Sequence, residues 1–231
     1  MKIKHAMILA AGLGKRMQPI TFETPKPLIQ IGNQNLLDRA IELLTNHGVE
    51  EIVINVHHLA DHIKNFINKG KYEAKIIISD EQHTLLDTGG GILNATRSYK
   101  EPFVVINPDT LWSKVYLNEL KDLEHLYFKH KKPSLLLVNK NLSYDSSFNG
   151  DFNLKDGIVS KDNNNKFIFT GLQILDQSVF KFIKHKIFSM NNIWNNLIEK
   201  KSLIGAESNQ KFYHLNTKEI HDKISDLNIT D

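Results

Sequence analysis

Residues suited to phosphate chemistry crowd the start of this chain. Gly12 and Gly14 stand one residue apart, Lys15 and Arg16 follow at once, and Lys26 sits between Pro25 and Pro27. Glycines after an apolar run let backbone N–H groups approach an anion, and a following helix would add a favourable dipole. A bare turn is the competing reading, and the glycines alone leave both open. The neighbouring charges favour the anion. The Arg16 guanidinium is a planar fork of donors matched to phosphate oxygens. Two proline rings restrict the backbone around Lys26, so its ammonium is held at reduced entropic cost. Surface lysines are ordinarily just solvated. Beside a glycine loop and an arginine, this one reads as part of a polyphosphate cradle.

Two familiar fingerprints fail here. The dinucleotide pattern G-x-G-x-x-G needs glycine where Met17 stands, and the P-loop needs glycine at Leu9 and Ser or Thr at Arg16. His57-His58-Leu59-Ala60-Asp61-His62 approaches the H-x-H-x-D-H pattern of dinuclear zinc hydrolases, but Leu59 fills a required histidine position. His58 and His62 would share a helix face with no third ligand in view, so a plain helix surface is the reading. The aromatic side chains Phe180, Phe182, Phe188 and Trp194 read as core or cap packing.

The elements that must position the charged residues follow from the hydrophobic pattern. Apolar runs at Ala6–Leu9, Glu51–Val56, Ala74–Ser79, Pro102–Ile106 and Ser134–Val138 predict buried strands. Between them, Asn35–His47, Leu59–Asn68, Gly91–Arg97 and Leu117–His130 predict helices, the first stopping at Gly48. Such alternation predicts an α/β fold: a doubly wound, mainly parallel sheet covered on both faces. Ligands then sit beyond the carboxyl ends of the strands, near the loops after Leu9, Val56, Ser79 and Ile106. Past residue 140 the pattern loosens. Phe167–Leu175 predicts a strand pair or one bent strand, Asp176–Lys184 and Asn192–Lys200 predict helices, and a last helix starts near Thr217. This portion reads as a small insertion and cap on the same sheet, within one domain of 1–231 whose halves divide near residue 140.

The chain has 231 residues, no cysteine and a formal net charge of +3. That length supports a sizeable core without disulfide or metal staples. Without thiols, disulfides and thiolate metal sites are excluded, and a reducing compartment is favoured. The weak and dispersed positive charge gives no support to nucleic-acid binding. The apolar run before Gly12 is at the short limit for a signal peptide and is followed at once by Lys15-Arg16. No stretch reaches the roughly 18 apolar residues of a membrane span. The expected setting is the cytoplasm, away from membranes.

The stretch L-A-A-G-L-G-K-R-M-x-P-I-T, followed by T-P-K-P-L, resembles the sugar-1-phosphate nucleotidyltransferase family in wording and spacing. The likeness continues at Leu86-Asp87-Thr88-Gly89-Gly90-Gly91-Ile92, at Asn107-Pro108-Asp109 and at Phe169-Thr170-Gly171-Leu172. Its wording is most similar to the N-acetylmuramate-1-phosphate uridylyltransferase branch, which serves cell-wall recycling. The resemblance implies a Rossmann-like, GT-A-like fold and transfer of a nucleotide to a sugar 1-phosphate, with pyrophosphate leaving. It implies a nucleoside triphosphate, UTP preferred and GTP possible, a sugar 1-phosphate, and a monomer or small homo-oligomer. Guanylyl transfer to mannose or heptose 1-phosphate is the rival within the family. A nucleotide-binding regulatory protein without turnover is the rival outside it.

Carried over residue by residue, the resemblance implies that Ala10, Ala11, Gly12 and Gly14 meet the nucleotide through the backbone. Arg16 would hold the leaving phosphates, and Lys26 the α-phosphate. Asn55, Glu81 and the Gly89-Gly90-Gly91 loop would face the base; backbone readout suits uracil without excluding guanine. Gly150, Asp151, Thr170 and Gly171 would face the sugar. Asp109 would hold Mg²⁺, an ion that favours carboxylate and water oxygens; a turn is the ordinary fate of an Asp after a strand. The family's second carboxylate, in W-x-D-[VI]-G-T, is missing. Phe212-Tyr213-His214-Leu215-Asn216-Thr217 puts His214 in its place and Asn216 at the glycine. Three outcomes follow: Asp109 alone holds the metal with the phosphates, His214 contacts the sugar phosphate, or activity is reduced or lost. The first is preferred, with His214 near the metal through water, because imidazole is a poor Mg²⁺ ligand.

Overall fold

Short, wholly apolar strands need cover on both faces, and the helices supply it. The computed structural model describes residues 2–227. In chain order it contains β1 (His5–Leu9), β2 (Gln30–Ile31), β3 (Gln34–Asn35), α1 (Leu36–His47), β4 (Glu51–Val56), α2 (Ala60–Lys69), β5 (Lys75–Asp80), α3 (Asp87–Ala95), β6 (Phe103–Ile106), α4 (Tyr116–His130) and β7 (Ser134–Asn139). There follow β8 (Asn153–Lys155), β9 (Ile158–Ser160), β10 (Phe167–Leu175), α5 (Met190–Glu199), β11 (Ile204–Ser208) and α6 (Lys218–Ser225).

A 9-stranded sheet has the order β5-β4-β1-β6-β10-β7-β11-β9-β8. β5, β4, β1 and β6 run parallel, as do β7 and β11, while β10 lies antiparallel between β6 and β7. The second half of the chain therefore extends the first half's sheet. Side chains alternate across it. Ala6, Ile8, Val104 and Ile106 face α1, α2 and α4 through Leu37, Ile63 and Leu123. Met7, Phe103 and Val105 face α3 and α5 through Ile92, Ile193 and Leu197. This is the doubly wound, mainly parallel arrangement, as expected. Among the described residues no helix is long and apolar enough to cross a membrane.

Several local expectations change. Phe167–Leu175 is one bent strand: its register on β7 shifts between Phe169 and Gln173, where Gly171 takes φ 94°. Asp176–Lys184 holds only a short 3-10 turn, Gln177–Phe180. Phe180 and Phe188 are buried, but Phe182 is 43% exposed and is not a core residue. His58 precedes α2 instead of sharing its face with His62, and its Nε2 donates to the Thr21 carbonyl at 2.8 Å. The largest local change is α3, which starts at Asp87 and takes Gly89, Gly90 and Gly91 into its first turns.

A third cluster docks the C-terminal segment beside the N-terminal loop. Met17, Ile29, Leu36 and Leu111 pack with Leu215, Ile220 and Ile224. Thr217 caps α6 by accepting the Ile220 N–H. Residues 215–224 thereby pack beside residues 17–36.

Candidate active site

The carboxyl ends of β1, β4 and β6 open into a cleft of about 350 Å³. Asn55, at the end of β4, pins two of its walls. Its Oδ1 accepts the Ala10 N–H at 2.8 Å, and its Nδ2 donates to Glu81 Oε1 at 2.9 Å. Glu81 in turn accepts the Leu86 N–H at 3.2 Å, so one buried network positions the loop after β1 and the approach to α3.

Ala10, Ala11, Gly12, Gly14 and Arg16 all line the cleft. Gly14 holds φ 63°, and its carbonyl accepts the Thr21 hydroxyl at 2.9 Å. A Cβ there would lie 2.8 Å from Thr21 Cγ2, so this position needs glycine for conformation and for space. A Cβ on Gly12 would meet nothing within 4 Å. The helix expected after the loop is only a 3-10 turn, Lys15–Met17. A turn that short carries little macrodipole.

Lys26 opens a 3-10 turn, Lys26–Leu28, between buried Pro25 and Pro27. Its Nζ donates to Asp109 Oδ2 at 2.7 Å. His214 Nε2 lies 3.2 Å from the same oxygen. The Leu215 N–H donates to the Asp109 carbonyl at 2.8 Å, and Thr110 bridges to His214. That short strand-like contact brings the C-terminal segment to Asp109. Burial alone would raise the Asp109 carboxyl, but the adjoining Lys26 and His214 outweigh it and hold it well below the usual carboxylate range.

The donor set fits a hard cation. Asp109 Oδ1, Asn107 Oδ1 and Asn216 Oδ1 are buried without a hydrogen-bond donor, and all three residues line the cleft. Oxygen ligands, with one carboxylate among them, are what Mg²⁺ takes beside phosphates. Among the described residues no three His, Cys, Asp or Glu side chains converge on a point, which removes the zinc reading of residues 57–62.

The three glycines of α3 do not line the cleft. A Cβ on Gly89 would strike the Phe188 ring at 2.4 Å, and one on Gly90 the Lys186 carbonyl at 2.2 Å. One on Gly91 would come within 2.9 Å of Asn55 and Glu81. They let α3 dock closely on its neighbours; the cleft edge there is built by Leu85, Asp87 and Thr88 instead.

A second cavity of about 210 Å³ lies on the other side of His214. Phe169 and Trp194 meet edge-on at 4.9 Å between centroids, and Phe148 packs against the His214 ring at 5.4 Å. Of the four expected sugar residues only Asp151 lines it. Asp151 Oδ2 accepts the Phe169 N–H at 2.9 Å. Burial pushes its carboxyl up, against the opposing Phe169 amide, Lys161 and His214. Thr170 is inside the sheet, its hydroxyl donating to the Leu136 carbonyl at 2.9 Å. Gly171 abuts Asn107, and Gly150 sits against the Asn165 backbone. Sequence reading missed Phe148, Lys161 and Asn191, which come from separate segments with no shared periodicity, and placed Trp194 in plain packing.

The family model described as "Nucleotidyl transferase" matches residues 5–140. The chain is 40% identical over 113 residues to the N-acetylmuramate alpha-1-phosphate uridylyltransferase of Caulobacter vibrioides, covering 47% of each. It is 30% identical over 143 residues to the mannose-1-phosphate guanylyltransferase catalytic subunit beta of Drosophila melanogaster, covering 59% of this chain and 37% of that protein. The chain spans about half the length, or less, of the curated relatives it matches. Its fold superposes on UDP-glucose pyrophosphorylase complexed with UDP-glucose at a TM-score of 0.79 and 21% identity, covering 97% of this chain and 98% of the other.

Proposed function

This chain belongs to the nucleotidyl transferase family, and from that premise we propose that it joins a nucleoside triphosphate to a sugar 1-phosphate, with UTP and N-acetylmuramate 1-phosphate preferred. The observation that carries this is the Lys26–Asp109 pair, 2.7 Å apart in the cleft that Gly12, Gly14 and Arg16 also line. In this reading the two halves act as one domain, with the nucleotide in the cleft and the sugar toward the aromatic cavity. The setting is cytoplasmic, and the role is recycling of cell-wall sugar.

A phosphate oxygen of the sugar 1-phosphate bonds to the α-phosphorus as the bond from that phosphorus to the β-phosphate oxygen breaks. Pyrophosphate leaves with the electron pair. The attacking oxygen is already anionic, so the site needs alignment and charge neutralisation more than a base. The backbone at Gly12 and Gly14 donates to phosphate oxygens, and Arg16 holds the leaving phosphates. Lys26, anchored on Asp109, presents its ammonium to the α-phosphate. Asp109 would hold Mg²⁺ through its unpartnered Oδ1, and the ion when bound would offset phosphate charge.

Uridylyl transfer is supported by the identity of about 40% to the Caulobacter enzyme. The second reading, guanylyl transfer to mannose 1-phosphate, is favoured by the Drosophila relative and by Glu81, whose buried carboxylate lines the cleft as an acceptor. Pyrophosphate release, measured with UTP and GTP against a panel of sugar 1-phosphates, separates the two. Release above background with UTP and N-acetylmuramate 1-phosphate is expected. Nucleotide binding without release for any pair would sink the transferase reading and leave a regulatory binder.

A further inference from the structure

We propose that His58 is a positioning residue for the triphosphate cradle: through Thr21 it braces the Gly14 carbonyl, and so fixes the turn that carries Arg16. The proposal rests on the reading above only for the phosphates that occupy the cradle; the chain of contacts is this molecule's own.

His57 and His58 leave β4 together, and each commits a ring nitrogen to a backbone carbonyl. His57 Nδ1 donates to the Glu81 carbonyl at 2.7 Å, and His58 Nε2 to the Thr21 carbonyl at 2.8 Å. A carbonyl only accepts, so each of these nitrogens carries the proton. Three residues before His58, Asn55 accepts the Ala10 N–H at 2.8 Å. Residues 55–58 therefore grip the loop after β1 on both sides of its glycines, at Ala10 and at Thr21.

Thr21 is 1% exposed and passes the restraint inward. Its hydroxyl donates to the Gly14 carbonyl at 2.9 Å, and the Met17 N–H donates to the same oxygen at 2.8 Å. That second bond closes the Lys15–Met17 turn, which sets Arg16 in the cleft wall. Glycine is the residue freest to leave a conformation such as φ 63°, so an unbraced loop would sample others and lose that freedom on binding. Neither His58 nor Thr21 lines the cleft, so both act through the backbone they hold. The residue after His58 bears the strain. Leu59 holds φ 50°, in the left-handed region that a leucine enters only where its surroundings require it. It stands at the N-cap of α2 and supplies no side-chain cap. Local helix stability is given up where His58 reaches Thr21.

The braced turn faces the outer phosphates, so its loss should depend on how many phosphates the ligand carries. Calorimetric titration of the full chain with UTP and with UMP reads this without turnover; GTP and GMP are titrated alongside and judged the same way. His58→Phe keeps a ring and removes the donor. It is expected to weaken UTP at least about fivefold and UMP by less than about twofold. His58→Gln restores a donor at similar reach and should return UTP affinity to near wild type. Thr21→Val keeps the shape and removes the hydroxyl; it should repeat the His58→Phe pattern, and it decides if His58→Phe does not fold. A lowered melting temperature with the wild-type ratio of UTP to UMP affinity would overturn the proposal and leave His58 a structural tie. So would equal losses for the two nucleotides, or His58→Gln binding UTP as weakly as His58→Phe. A wild type that binds neither triphosphate overturns both this proposal and the reading it rests on. Pyrophosphate release measured in parallel separates the two. The expected binding pattern without release sinks the transferase reading alone, and release with unaltered triphosphate selectivity in the variants sinks the His58 assignment alone.

Discussion

The Lys26 ammonium donates to the Asp109 carboxylate at 2.7 Å, although five strands, β2 to β6, lie between the two in chain order. Both side chains are largely buried, at 15% and 23% exposure, so solvent screens the pair only in part. Lys26→Met should therefore cost about 1–3 kcal/mol of stability, since it strips a charged acceptor of its donor. A double-mutant cycle with Asp109→Ala, read by thermal unfolding, should show a coupling of about 0.5–3 kcal/mol. Strictly additive effects would mean that the pair is not formed in solution.

The two loop glycines should behave oppositely. Gly14→Ala must adopt φ 63° and displace Thr21, at a cost of about 1–2 kcal/mol for the backbone alone. Gly12→Ala meets no protein atom within 4 Å, so its melting temperature should stay near wild type while nucleotide affinity falls. Calorimetric titration with UTP beside a melting curve checks both. A Gly12→Ala variant with normal affinity would remove the backbone of that residue from the cradle.

Gly90→Ala should act through packing. Its Cβ would lie 2.2 Å from the Lys186 carbonyl, so the docking of residues 186–188 on α3 must give way. A fall in melting temperature with an unchanged preference among nucleotides is expected. A switch of nucleotide preference at unchanged stability would restore the base-reading role for this turn.

How much of this was legible in the sequence depends on how local the signal is. β1, β6 and β7 announce themselves as apolar runs and β4 as one broken only by Asn55, and Gly48 marks the end of α1 through its left-handed cap at φ 99°. The Gly89-Gly90-Gly91 run misled, because glycine disfavours helix and reads as loop. Close docking on Phe188 and Lys186 overrides that propensity. β11 escaped notice since Ile204–Ser208 mixes polar and apolar residues, and its strand character comes from pairing with β7. Within the cleft, Arg16 and Lys26 stood out by residue type and spacing, and Asp109 through the resemblance of Asn107-Pro108-Asp109 to a family motif. Asn216 was visible only as a departure from a motif, and its contact with Asp145 needs the fold.

Asp151 should give a pH-dependent stability difference. Burial raises its folded-state pKa above the ordinary 3.8, against the Phe169 amide and Lys161. The folded protein then binds the proton more tightly than the unfolded chain, so stability falls as pH rises through the raised value. Asp151→Asn escapes this penalty. It should melt above wild type at neutral pH, with the advantage vanishing as acid protonates Asp151. An advantage that persists unchanged into acid would assign the effect to packing.

The most direct test of the account follows the α-phosphorus. UTP labelled there is incubated with N-acetylmuramate 1-phosphate and either the wild type or Lys26→Ala, at saturating nucleotide. Label should pass into the nucleotide sugar with the wild type and fall by at least about 10²-fold with the variant. Equal transfer by both would contradict the assignment of the chemistry to this cleft.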